Sequence, residues 1–153
     1  MRVELTKDVR KRMMLCLVKA KRREIGGILM AEQINPGEFR IVDFSLDDIT
    51  GSAAHFVRSP DHHRAALEAF FARTGNDYTR YNYLGEWHSH PNHDPSPSTT
   101  DILSMHDLLN EECSISFAIL LIVKRGWWRR FLCTATLFRQ GEELSNIKVI
   151  TGS

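Results

Sequence analysis

Several features are missing from this sequence, and each absence narrows what it can do. No apolar run reaches the roughly 18 residues that a bilayer-spanning helix needs, and the opening "MRVELTKDVRKR" lacks the apolar stretch of a secretory signal. Cysteine is scarce: Cys16, Cys113 and Cys133 are odd in number, unclustered and set in apolar runs. They read as reduced core thiols of a cytoplasmic protein, not as disulfides or a cysteine-bound zinc site. An excess of either charge is also lacking, since 20 Lys and Arg face 19 Asp and Glu. That balance argues against a dedicated nucleic-acid binder. There is no G-x-S-x-G elbow for a serine hydrolase and no P-C-x-x-C for a zinc nucleobase deaminase. Repeats and long linkers are absent too. The 153 residues are read as one domain, 1–153, long enough to bury its own core.

The periodicities present give a mixed α/β chain. From Thr6 to about Arg22, Val9, Met13, Leu17 and Ala20 share one helical face, with Thr6 as N-cap. "IGGILMAEQ" and "FRIVDFSLDD" read as strands around the turn "INPGE", and "AHFVRS" as a short third. Ser59-Pro60 then opens the helix "DHHRAALEAFFAR", with Ala66, Leu67 and Phe70 on its buried stripe. "YNYLGEWHSH" suits a central strand. A helix capped at Ser98 or Thr99 runs to Leu109, with Leu103, Met105, Leu108 and Leu109 as its apolar positions. "SISFAILLIVKR" and "WWRRFLCTATLFRQ" form a hairpin about Arg125-Gly126, and "NIKVI" adds a last edge strand. This pattern predicts a mixed sheet flanked by about three helices.

Chemistry concentrates in "GEWHSHPNHDPSPSTTD", Gly85 to Asp101. His88 and His90 are two apart on a strand, so both imidazoles point to one face and supply half of a tetrahedral zinc shell. Asp101, in the first turn of the next helix, is the candidate third ligand. Three protein ligands with an open fourth position are the pattern of a catalytic metal. Glu24, at the junction of the first helix and strand, is the best candidate for a general base, with Gly26 and Gly27 beside it allowing close backbone approach. Ser98, beside Asp101, is placed to donate to a developing oxyanion.

Glu24 in "EIGGIL", then "HSHP", Ser98 and Asp101, resembles the motif of the JAMM (MPN+) metalloproteases: Glu, His-x-His, seven residues, Ser, two residues, Asp. The wording is most similar to small bacterial stand-alone members, among them the JAB peptidases of anti-phage (CBASS-type) operons. The resemblance implies the family's cytidine-deaminase-like MPN/JAB fold, with a mainly antiparallel sheet. It also implies one Zn2+ with an activated water, held by His88, His90 and Asp101, with Glu24 and Ser98 catalytic. The activity it implies is cleavage after the C-terminal glycine of a ubiquitin-like protein, releasing it from conjugates or maturing its precursor. Operon-encoded E1/E2-like conjugation enzymes are possible further partners under that resemblance, which implies neither a nucleic acid nor a membrane. Family members hold the partner's extended tail by strand addition at a sheet edge. Maturation of Gly-Gly sulfur carriers and a non-catalytic MPN scaffold are the alternatives.

Other residues take plainer readings. His93 and Asp94 belong at the cleft rim, and His62 and His63, in a helical first turn, are expected in solvent. His55 and His106 have no visible partners. "KRGWWRR" mixes cations and aromatics, but across a hairpin turn one tryptophan should face the core. Trp87 is expected to pack opposite the two histidine ligands.

Overall fold

The computed structural model describes residues 1–47 and 60–152. Helix α1 (Lys7–Ala20) starts at Thr6, whose Oγ1 accepts from the Val9 amide at 3.3 Å, and buries Val9, Met13, Leu17 and Ala20 on one stripe. Helices α2 (Pro60–Arg73) and α3 (Thr99–Glu111) follow the anticipated bounds closely. The strands are β1 (Arg2–Leu5), β2 (Gly26–Asn35), β3 (Glu38–Phe44) and β4 (Tyr81–Ser89), then β5 (Phe117–Arg125), β6 (Phe131–Arg139), β7 (Ser145–Ile147) and β8 (Val149–Thr151). They form one sheet in the order β7-β6-β5-β4-β2-β3-β1-β8. The pairings β2–β3, β2–β4, β5–β6 and β6–β7 are antiparallel, whereas β1–β3, β1–β8 and β4–β5 are parallel. The architecture is therefore mixed α/β with a mainly antiparallel sheet and three helices.

Alternation along the strands divides the core in two. Leu29, Trp87, Ile119, Leu121 and Val123 point to one face and pack with the α1 stripe. Ala118, Leu120 and Ile122 point the other way, against Met105, Leu108 and Leu109 of α3. Ile28 and Met30 meet Phe70 of α2 on that same outer face. The outer face thus carries two helices with β4 and its neighbours as floor. No helix among the described residues is long and apolar enough to cross a membrane.

Several expectations are corrected. β1 was not anticipated: four residues are too few for a periodic signal, and their partners are β3 and β8. "NIKVI" is not one edge strand. Ser145–Ile147 pairs with β6 and Val149–Thr151 with β1, at opposite ends of the sheet. Leu103 is exposed because α3 turns its Met105, Leu108 and Leu109 side to the sheet. Ala66 and Leu67 are only half-buried beside the buried Phe70. Cys113 is exposed just past the end of α3, while Cys16 and Cys133 pack at the core margin. Both Trp127 and Trp128 face solvent, because left-handed backbone at Trp128 and Arg129 carries the turn away from the core. "AHFVRS", His55 and the Ser59 cap lie outside the described residues.

Candidate active site

The register of β2 against β4 builds the site. Gly26 lies opposite His88 in an antiparallel pair, so one step further Ile25 meets Ser89, and two steps further Glu24 meets His90. The bonds agree: the Ser89 amide donates to the Ile25 carbonyl at 2.8 Å, and the Ile25 amide donates to Ser89 Oγ at 3.0 Å. Ser89 and Trp87 face inward, the Trp87 indole donating to the Ser45 carbonyl at 2.9 Å. Opposed residues of an antiparallel pair share a face. Glu24 therefore comes to the outer face with His88 and His90, and all three are buried.

Two glycines make that register possible. A Cβ on Gly26 would lie 2.3 Å from the Trp87 carbonyl oxygen, and one on Gly27 would lie 2.1 Å from that of Ser45. Any side chain there would push β2 from β4 or from the segment after β3, and Glu24 from the histidines.

Asp101 arrives from the N-terminus of α3. Ser98 is the N-cap: its Oγ accepts from the Asp101 amide at 3.1 Å, and its amide donates to Asp101 Oδ2 at 2.8 Å. This capping box holds the carboxylate toward the strand. Asp101 Oδ1 is 3.3 Å from His88 Nε2 and Oδ2 is 3.3 Å from His90 Nε2, while the two Nε2 atoms are 3.1 Å apart. A tetrahedral shell with bonds of about 2.0–2.1 Å has ligand–ligand edges of roughly 3.3 Å, so this donor set fits an ion. His90 Nδ1 lies 3.0 Å from the Asp94 carbonyl. A carbonyl only accepts, so Nδ1 carries hydrogen and Nε2 is left with its lone pair for a ligand role. His88, His90 and Asp101 thus form a group that can hold a metal.

Electrostatics in the ion-free chain follow from the same contacts. Burial pushes the His90 imidazole down, but hydrogen bonds to Asp101 and the Asp94 carbonyl outweigh it and hold His90 above its ordinary value. Burial pushes the Asp101 carboxyl up, but the two imidazoles and the Ser98 amide hold it well below the carboxylate range. The depressed Asp101 stabilises the fold above the ordinary carboxylate value of 3.8, and the raised His90 does so below the ordinary imidazole value of 6.5. Both contributions are present together between those values. Thermal melts of chelated protein should show the advantage of wild type over Asp101→Asn to be largest in that window. The advantage should shrink as pH rises through the elevated His90 value.

His93 comes nearer than the rim role assigned to it suggests. Its ring stacks edge-on against His90 with centroids 5.5 Å apart, and its Nε2 is 3.9 Å from Glu24 Oε1. Its side chain remains more than half exposed. Asp94 contributes its backbone carbonyl. His63 is buried, contrary to the solvent position expected of a first-turn residue, because the segment after β3 reaches under α2. Ser45 Oγ, which accepts from the Ile28 amide at 2.9 Å, is 2.8 Å from His63 Nδ1. No periodicity announces that pair. A groove of about 1140 Å³ runs from His88 and Asp101 between α2 and α3. Leu67 and Phe71 line one wall, Ser104 and Leu108 the other, with Tyr83 and Glu86 on its floor. β4 is paired on both sides, so the ligand group is presented on a face of the sheet.

Against known proteins, a family model described as prokaryotic homologs of the JAB domain matches residues 6–134. A curated protein of Vibrio cholerae serotype O1, named CD-NTase/cGAS isopeptidase, is 32% identical over 68 residues. That match covers 44% of this chain and 40% of that protein. Among solved structures, a protein of Desulfitobacterium hafniense is similar with a TM-score of 0.71 at 19% identity, covering 99% of this chain and 93% of that one. A protein of Salinibacter ruber is similar with a TM-score of 0.59 at 21% identity, covering 100% and 92%. At these identities the two structures speak to fold alone.

Proposed function

Since the chain belongs to the family of prokaryotic homologs of the JAB domain, we propose that it is a zinc-dependent isopeptidase. In this reading it cleaves after the C-terminal glycine of a ubiquitin-like protein. The observation that carries the reading is the convergence of a buried carboxylate that is not in the ligand group, Glu24, on the face that presents His88, His90 and Asp101. A structural metal site has no use for a buried base beside it. The name of the Vibrio relative supports the isopeptidase part of the proposal.

His88, His90 and Asp101 would hold the ion, and the Ser98 capping box fixes the carboxylate between the two imidazoles. Zinc bound there would supply Lewis acidity toward a water and the scissile carbonyl. Glu24 takes the attacking water's proton and returns it to the departing lysine amine. The Ser98 hydroxyl, whose oxygen accepts from the Asp101 amide, keeps its own proton to donate toward the carbonyl oxygen as charge develops. The groove between α2 and α3, which reaches His88 and Asp101, receives the extended tail, with its Gly-Gly end at the ligand group. Conjugates built by E1/E2-like enzymes, in anti-phage defence, are the proposed setting.

The test is a panel of ubiquitin-like proteins with Gly-Gly ends, each amide-linked to aminocoumarin, incubated with zinc-loaded protein. Release of dye from at least one member is expected. Binding without release across the panel would favour a non-catalytic scaffold, and release only from sulfur-carrier members would favour the maturation alternative.

A further inference from the structure

The proposed reaction makes no use of the turn joining β5 to β6, yet that turn bears the most exposed large apolar side chains among the described residues. Trp127 is 91% and Trp128 98% exposed. The turn is closed, with the Gly126 amide donating to the Arg130 carbonyl at 2.7 Å and the Arg130 amide to the Trp127 carbonyl at 3.1 Å. Trp128 and Arg129 hold φ of 54° and 57°, a left-handed conformation that residues with a Cβ adopt only at a cost. A strained, closed backbone that turns two indoles outward is a feature with something to bind.

Charge says what kind of partner. Lys124, Arg125, Arg129 and Arg130 fall within the seven residues 124–130, with no acidic residue among them, in a chain of net charge +1. A second basic segment, the exposed Lys21, Arg22 and Arg23, borders the loop that follows the histidines. Asn92 Nδ2 meets the Arg22 carbonyl at 3.5 Å, and Lys124 Nζ donates to the His93 carbonyl at 2.6 Å. The Lys124 ammonium and the basic segment 21–23 therefore both border the loop that follows the histidines.

Position says which part of the substrate is met. β4 and β5 run parallel, with His88 opposite Ile122 and Ser89 opposite Val123. The turn lies just beyond the C-terminal ends of these strands, and the groove extends the other way, back over Tyr83 and Asn82 toward Phe117. A tail whose last glycine reaches the ligand group from the groove has its bonded lysine on the side of the turn.

We infer that the Trp127–Trp128 turn docks the protein that carries the scissile lysine, gripping an acidic surface with an apolar hollow for an indole. This rests on the isopeptidase reading and deepens it, from the tail in the groove to the target beyond the bond. Tryptophan and arginine are the side chains that dominate protein–protein contact energies, and the basic rim steers toward acidic partners. A protruding turn, by contrast, offers no channel to track a nucleic-acid backbone.

The experiment compares two substrates that share whichever ubiquitin-like protein the dye panel identifies. One is its aminocoumarin amide, and the other its isopeptide conjugate to a lysine of an acidic carrier protein. The variants are Trp127→Ala with Trp128→Ala, and Arg129→Glu with Arg130→Glu, all at exposed positions. On the acidic conjugate kcat/KM should fall about tenfold or more, a hot-spot-sized effect, while the dye amide changes less than about twofold. Raising salt should reproduce much of the charge-reversal loss in wild type. Equal losses on both substrates, or no loss on the conjugate, would overturn the docking role. So would variant-sensitive binding to phosphatidylglycerol vesicles or to an oligonucleotide with conjugate cleavage unchanged. If wild type cleaves no dye amide, the isopeptidase reading itself has failed, and the docking role fails with it.

Discussion

Glu24→Gln should lower kcat by roughly 10²- to 10⁴-fold, the range general acid–base catalysis contributes, with KM and bound zinc nearly unchanged. Glutamine matches the shape of Glu24 at the buried position opposite His90, so the fold has nothing to repack. Only the ability to take and return a proton is lost. Steady-state kinetics on a dye amide, alongside zinc content and a thermal melt, separate these effects. A variant that keeps its zinc and also keeps its rate would remove Glu24 from the chemistry and leave the ligand group without a base.

Removing the metal should abolish turnover altogether and also cost stability. A ligand that binds only the folded chain stabilises it by about 4 kcal/mol at a free concentration a thousand times its Kd. For a domain of this size that is roughly 10 °C in Tm. Chelated protein should therefore melt about that much lower and regain both melting point and activity when zinc is restored. His88→Ala and Asp101→Ala should melt alike with and without zinc, because each leaves only two of the three donors that lie within 4.8 Å. An Asp101 variant also loses its half of the capping box on α3, so His88→Ala is the cleaner measure. Turnover that persists in chelator would sink the metal mechanism.

Local patterns were the parts that could be read from residues alone. The Thr6 cap, the Val9–Met13–Leu17–Ala20 stripe and the Ser98 cap each depend on neighbours within a few positions, and each stands as anticipated. The same-face pair His88 and His90 follows from strand alternation. Glu24 was harder, since its place beside His90 depends on a register between segments 64 residues apart at Ile25 and Ser89; the adjacent glycines and the family motif were its clues. What escaped is non-local. β1 is too short to show a period and is made a strand by partners far along the chain. His63 sits where a helix's first turn is ordinarily wet, and only the return of Ser45 beneath α2 buries it. The tryptophan turn defeated simple alternation because left-handed residues interrupt it.

The two ends of the sheet order are β7 and β8, yet only Lys148 separates them in sequence. Ile147 and Val149 cannot lie more than roughly 7–8 Å apart at that spacing, so the sheet must bend until its two outer strands meet, and β6 and β8 do touch. The final strand acts as a clasp, and a clasp has timing. Residues 24–101, which carry Glu24, the histidines and Asp101, emerge from synthesis well before residues 149–151. Until the latter exist, β1 has an open edge able to recruit a neighbouring chain. Ending the chain after Ile147 should therefore leave the ligand group intact in outline but favour aggregation during folding, a defect visible in yield and light scattering before it is visible in zinc binding.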